Sequence, residues 1–142
     1  MDLERAIEIA ASAHRGQVDK ADKPYILHPL RVMLACTDVT AQIVAVLHDV
    51  IEDTNWTSGA LRAEGANDAT LAALDAVTRR PEETYSEFIE RASRNEIGRT
   101  VKIADLHDNL DISRIATPTE ADFSRIERYK TALEKLSASM LG

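Results

Sequence analysis

Four side chains able to bind a metal ion or move protons, His48, Asp49, Glu52 and Asp53, fall within six residues of an otherwise apolar segment. The run before them, Ile43-Val44-Ala45-Val46-Leu47, has no polar side chain, so the helix that delivers His48 should be buried on every side. Polar groups carried into such surroundings are costly unless something neutralises them, and a divalent cation does so. At helical spacing Glu52 lies one turn from His48 and Asp49, and Asp53 one turn from Asp49, so the four can face one cavity. An acidic helix end beside a satisfied core histidine has the same spelling, and this stretch alone leaves both readings open. Two further places put an imidazole or a carboxylate in apolar company: His28 and Asp105. Together with His48 and Asp49 they make a mixed nitrogen and oxygen set, which suits manganese, zinc or iron better than calcium. An ion held in this way makes a bound water more acidic and polarises a phosphoryl oxygen, with a nearby carboxylate to handle protons. That chemistry is hydrolysis. Spacing does not show that the four residues converge.

The elements that must position them read as helices. Leu3, Ala6, Ile7 and Ala10 recur at three and four, an amphipathic stripe that ends near His14-Arg15-Gly16. Residues 15–25 are polar and punctuated by Gly16 and Pro24, an exposed loop. His28-Pro29 opens a second helix with proline at its first position, and Leu30, Met33 and Leu34 face inward. Thr40 caps a central helix from Ala41 to about Ile51. A short helix passes through Leu61, Asn67 caps the next, and Thr84 with Glu87 forms a capping box. Asn95 caps a long helix reaching Ile115 before Thr117-Pro118, and Phe123, Ile126, Tyr129, Leu133, Leu136 and Met140 mark a last one. The expectation is an all-α, single-domain bundle of about seven or eight helices spanning residues 1–142.

Composition narrows the function. With 142 residues and 44% hydrophobic content the chain can bury one real core. A net charge of −7 argues against nucleic acid and anionic membrane as partners. No apolar run approaches a membrane span and no leader is evident, so the expected location is cytoplasmic. Cys36, the one cysteine, sits in an apolar stretch and reads as packing.

His28-Pro29 followed by Val32, then His48-Asp49, Glu52-Asp53, and Lys102-Ile103-Ala104-Asp105 with Asn109 four residues on, resemble in that order the HD-domain hydrolases of the Rel/Spo alarmone family. The likeness is greatest to the free-standing small alarmone hydrolases and runs from about Ala10 to Tyr129. It implies an HD-type helical bundle with His28, His48, Asp49 and Asp105 as metal ligands and Mn²⁺ as the usual ion. Glu52 and Asp53 match the acid pair that positions or deprotonates the attacking water, and Asn109 the residue that holds the substrate ribose. The implied reaction removes the 3′-pyrophosphate from a guanosine tetra- or pentaphosphate, so the implied partner is a small nucleotide alarmone. This length has no room for a synthetase domain.

The chain departs from the family in its basic loop, which there reads Arg-Lys-Ser-Gly and here Asp19-Lys20-Ala21-Asp22. Asp111 stands where an arginine is usual. In the family the basic loop serves base and phosphate contacts, so its change leaves adenosine alarmones open beside guanosine ones. Arg15, Lys20, Lys23 and Lys102 are the cations available to a polyphosphate, and Tyr129 falls where relatives place a tyrosine near base or ribose. His14 and His107 read as structural. Two other functions share these residues: an HD phosphohydrolase for another nucleotide, and a non-catalytic nucleotide sensor, against which the retained Glu52-Asp53 argues.

Overall fold

The apolar run before His48 forms the most buried helix of the chain. A computed structural model describes residues 1–141, and in it Val44, Ala45, Val46 and Leu47 have no exposed surface. Among the described residues nine α-helical segments follow one another: α1 (Leu3–Ala13), α2 (Leu27–Leu34), α3 (Val39–Leu47), α4 (Val50–Asp53), α5 (Ser58–Ala63), α6 (Asp68–Ala76), α7 (Tyr85–Ser93), α8 (Glu96–Asn109) and α9 (Glu120–Leu141), with a 3₁₀ turn at Ile112–Arg114. No β-strand occurs among the described residues. An isolated antiparallel bridge between Val18 and Pro24 closes the loop after α1. The fold is therefore all-α, as the stripes require.

α3 packs against α1, α2, α6 and α8, which is why it carries no polar face. The main core gathers residues of α1, α2, α3, α5 and α6 with Val101 and Ala104 of α8. A second cluster joins Phe88 and Ile89 of α7, Leu106 of α8, and Ala132 and Leu136 of α9. α8 thus serves both cores. Its remaining face, carrying Lys102, Asp105 and Asn109 at helical spacing, turns toward α2 and the end of α3. Gly98 sets how closely α8 approaches α6, since a Cβ there would lie 3.0 Å from that of Ala76.

The caps at Asn67, Thr84 with Glu87, and Asn95 form as read from the sequence. Other boundaries differ, each for a local reason. α3 is capped by Asp38, whose carboxylate accepts from the Ala41 N–H at 3.1 Å, so Thr40 is already inside the helix. α2 starts at Leu27, placing Pro29 third rather than first, a position where its missing N–H still costs nothing. The central helix does not run on to Ile51. It breaks at His48-Asp49 and restarts at Val50, with the His48 N–H reaching back only to Ala45. α8 stops at Asn109, because Asp111 accepts from the backbone N–H and hydroxyl of Ser113 and so offers the chain an alternative to helix. Ile115 lies beyond that turn. Leu34, expected inward, is 74% exposed, and Phe123 and Met140 are also on the surface. Cys36 is buried in the main core.

Candidate active site

The break between α3 and α4 is what aims the first two groups. Ending the helix at Leu47 leaves the Ala45 carbonyl to accept from His48 Nδ1 at 2.5 Å. A carbonyl only accepts, so Nδ1 carries a proton, and Nε2 is the nitrogen left to face the carboxylates and to offer a lone pair once it gives up its own proton. Asp49 then sits at the head of α4, where the phenol of Tyr25 donates to its Oδ2 at 2.5 Å. From α2 comes His28, with Nδ1 against Asp108 Oδ2 at 2.6 Å. α8 contributes Asp105, buried at 4% exposure.

These groups converge. His28 Nε2 lies 2.9 Å from Asp105 Oδ1 and 3.7 Å from Asp49 Oδ2, and His48 Nε2 lies 3.2 Å from Asp105 Oδ1 and 3.1 Å from Asp49 Oδ2. His28, His48 and Asp49 each offer a ligand atom within 4.8 Å of the others'. Two imidazole nitrogens whose partner nitrogens are already engaged, facing two carboxylates in a buried setting, form a donor set that fits a divalent transition ion.

The electrostatics agree with that fit. Burial alone would lower His28 and His48, but the hydrogen bonds and charges of Asp105, Asp108 and Asp49 outweigh it and hold both imidazoles above their ordinary value. Burial would raise Asp105, yet Lys102 and the two histidines keep it well below the carboxylate range. Asp49 is likewise held low by His48 against its own burial. In each case the surroundings favour positive charge at the centre of the cluster. Glu52 and Asp53 go the other way: burial and the neighbouring carboxylates push both above the usual range, and the Arg79 N–H that Glu52 accepts at 3.1 Å only partly offsets this. Such carboxylates are suited to taking up protons.

A cleft of about 550 Å³ opens over the cluster, a size that accommodates a nucleotide. His28, Asp49, Asp105, Glu52, Lys20, Lys102, Asn109 and Tyr129 line it, and His48 lies buried behind them. Asn109 Nδ2 donates to Asp105 Oδ1 at 3.2 Å, and Lys102 Nζ to Asp105 Oδ2 at 2.8 Å while lying over the Phe88 ring. Tyr129 does two things at once, lining the cleft and packing on the second core. The structure separates the acid pair: Asp53 lines an adjoining recess with Gln17 and Trp56. Arg15 and Lys23 are exposed and outside the cleft lining. Asp19 lines it, but its Oδ1 is engaged by the N–H groups of Ala21 and Lys23, while Asp22, at φ 61°, lies outside the lining. His14 is buried against Gln17 and Tyr25, and His107 is exposed.

Four groups in the cleft escape a sequence reading: Tyr25, Arg31, Asp108 and Arg114. Arg31 stands three residues after His28 and Asp108 three after Asp105, so helical spacing alone would have placed both on the same faces as the ligands. Arg114 has no such signal, because the 3₁₀ turn decides where it points.

No protein-family model matches the sequence. Mouse guanosine-3′,5′-bis(diphosphate) 3′-pyrophosphohydrolase MESH1 is 33% identical over 148 aligned positions, which cover 89% of this chain and 78% of that protein. The chain belongs to the HD-type alarmone hydrolases of the Rel/Spo family. A solved structure of a member, described as a metazoan ortholog of SpoT that hydrolyzes ppGpp and plays a role in starvation responses, superposes with a TM-score of 0.79 at 26% identity, covering 99% of this chain and 85% of that one. Other relatives are much longer. The probable GTP pyrophosphokinase of Mycobacterium leprae is 31% identical over 129 residues, 82% of this chain but 16% of its own length. The guanosine-3′,5′-bis(diphosphate) 3′-pyrophosphohydrolase of Borreliella burgdorferi, 38% identical over 79 residues, is matched over 12% of its length. Among the described residues no helix is long and apolar enough to cross a membrane.

Proposed function

We propose that the chain is a metal-dependent 3′-pyrophosphohydrolase of (p)ppGpp-type alarmones, acting in the cytoplasm with Mn²⁺ as its ion, and that it accepts or prefers the adenosine counterparts. The observation that carries the reading is the convergence of His28, His48, Asp49 and Asp105 at the floor of a nucleotide-sized cleft. These four would hold the ion, which when bound makes water a stronger acid and draws charge from a phosphoryl oxygen. The residues of the chain do the rest. Glu52, in the cleft and held partly protonation-ready by burial, takes the proton of the attacking water. The water oxygen bonds to the phosphorus attached to the 3′-oxygen, the bond from that phosphorus to the 3′-oxygen breaks, and the 3′-oxygen leaves as a hydroxyl with the proton that Glu52 took from the water, freeing pyrophosphate. Asn109 fixes the ribose, and Lys102 and Lys20 draw the polyphosphate into an acidic protein. Asp53, turned into the adjoining recess, supports Glu52 electrostatically rather than reaching the water.

Base tolerance follows from the loop. No guanidinium from residues 19–22 is available to lie on the purine face, and a stacked guanidinium is worth on the order of 1 kcal/mol, enough to flatten a preference several-fold. The test incubates Mn²⁺-loaded protein with matched guanosine and adenosine 3′-pyrophosphates and resolves the products. Release of pyrophosphate from both is expected, with kcat/KM within about tenfold. Binding without turnover of either would make the chain a sensor. Glu52→Gln should lower kcat by roughly 100-fold or more, and Asp53→Asn by less. Asp19→Asn keeps the loop's acceptor and removes its charge, so a changed base ratio there would place base reading at the loop.

A further inference from the structure

His28 is held on its far side by a carboxylate, and that carboxylate is itself clamped. Asp108 Oδ2 faces His28 Nδ1 at 2.6 Å, while Arg31 grips both Asp108 oxygens, Nε to Oδ1 at 2.7 Å and Nη2 to Oδ2 at 3.0 Å. A planar guanidinium bound to both oxygens fixes the rotation of the carboxylate as well as its place. Arg114 adds a bond to the Asp108 carbonyl at 3.1 Å. The two helices meet through a matched pair of spacings: His28 and Arg31 on α2 face Asp105 and Asp108 on α8.

We infer that Asp108 is a positioning residue for His28, and that Arg31 acts on the metal site through Asp108. The inference rests on the assignment of His28 as a ligand. An acceptor on Nδ1 fixes the tautomer in which Nε2 is the lone-pair nitrogen, holds the ring plane toward Asp49 and Asp105, and makes that nitrogen a better donor. Without Arg31 the carboxylate loses its two-point grip and can turn, held only by His28 and by the looser pair with Arg114, whose Nη2 lies 3.5 Å from Oδ2. Arg31 and Asp108 thus do for His28 what the Ala45 carbonyl does for His48: one ligand is oriented by a helix end, the other by an ion pair between helices.

Calorimetric titration of metal-free protein with MnCl₂ tests this. Asp108→Ala should weaken binding by roughly 10- to 100-fold, and Asp108→Asn, which keeps an acceptor for Nδ1, by only a few-fold. Arg31→Met should weaken binding in the parent yet add nothing in the Asp108→Ala background. Imidazole ¹⁵N spectra of the metal-free variants give a readout that loss of fold does not mimic: the His28 pattern with protonated Nδ1 should persist in Asp108→Asn and be lost in Asp108→Ala. Parent-like affinity in Asp108→Ala, or an Arg31→Met effect that survives in that background, would overturn the inference. Failure of the parent itself to bind Mn²⁺ would instead bring down the ligand assignment.

Discussion

His48 has no choice of which nitrogen it presents, because the Ala45 carbonyl, in the last turn of its own helix, occupies the other. The same economy governs the charges around it. His28 and His48 are buried, which by itself disfavours the imidazolium, but Asp49, Asp105 and Asp108 outweigh burial and raise both. In the unfolded chain they titrate near ~6.5. A raised folded value means that the metal-free protein gains stability from these protons at pH below about 6.5 and loses it as pH rises through the folded values. A cation competes for the same place, so metal affinity must move oppositely, rising across that window as the protons become easier to displace. Thermal melts of metal-free protein should therefore decline from about pH 6.5 upward, while the apparent affinity for Mn²⁺ increases. An affinity flat between roughly pH 6 and 8 would mean that the two imidazoles do not compete with protons for the ion.

α8 is the element on which the site depends, since it meets both cores and still brings Lys102, Asp105, Asp108 and Asn109 to the cleft. Its height over α2 and α3 is set by its contact with α6. There, Gly98 leaves 3.0 Å between a would-be Cβ and Ala76, so a larger side chain must push the helix outward or strain its neighbours. Gly98→Val is expected to destabilise by about 1–3 kcal/mol through overpacking, read from urea denaturation. Ala76→Gly should restore part of it. If Gly98→Val unfolds at the parent midpoint with Ala76 unchanged, the helices have slack at this contact and it does not position the site.

For the molecule as a whole, the cluster joins segments far apart in sequence. His28 and Asp105 are separated by 77 residues and His48 and Asp105 by 57. An ion bound by all three elements binds only the folded chain, so it adds stability by mass action, about 2.7 kcal/mol at a free concentration 100 times Kd. The melting temperature should climb by several degrees with added Mn²⁺ and keep rising with the logarithm of its concentration. Asp105→Asn, which keeps the shape and removes the ligand charge, should abolish the rise; an undiminished rise in that variant would show that Asp105 is not a ligand.

Much of this was legible in the sequence by itself. The helical periods gave the fold class, local hydrogen-bonding chemistry gave the caps at Asn67, Thr84 and Asn95, and the apolar run before His48 announced a buried helix that ends in polar groups. Those are short-range properties, fixed by residues within one or two turns. What the sequence left open was everything that depends on two helices meeting. Glu52 and Asp53 are neighbours in the chain, but successive residues of a helix point about 100° apart, and only the packing around α4 puts Glu52 in the cleft lining and Asp53 in that of a second recess. Lys20, Lys23 and Arg15 have the same charge and similar surroundings in sequence, yet only Lys20 lines the cleft, because the bridge between Val18 and Pro24 decides which side of the loop faces inward. Arg31 and Asp108 have no sequence signal beyond their helical spacing from His28 and Asp105, and they become partners only where α2 and α8 pack together. Helical spacing fixes the face on which a side chain lies, and only tertiary packing supplies the partner that the face meets.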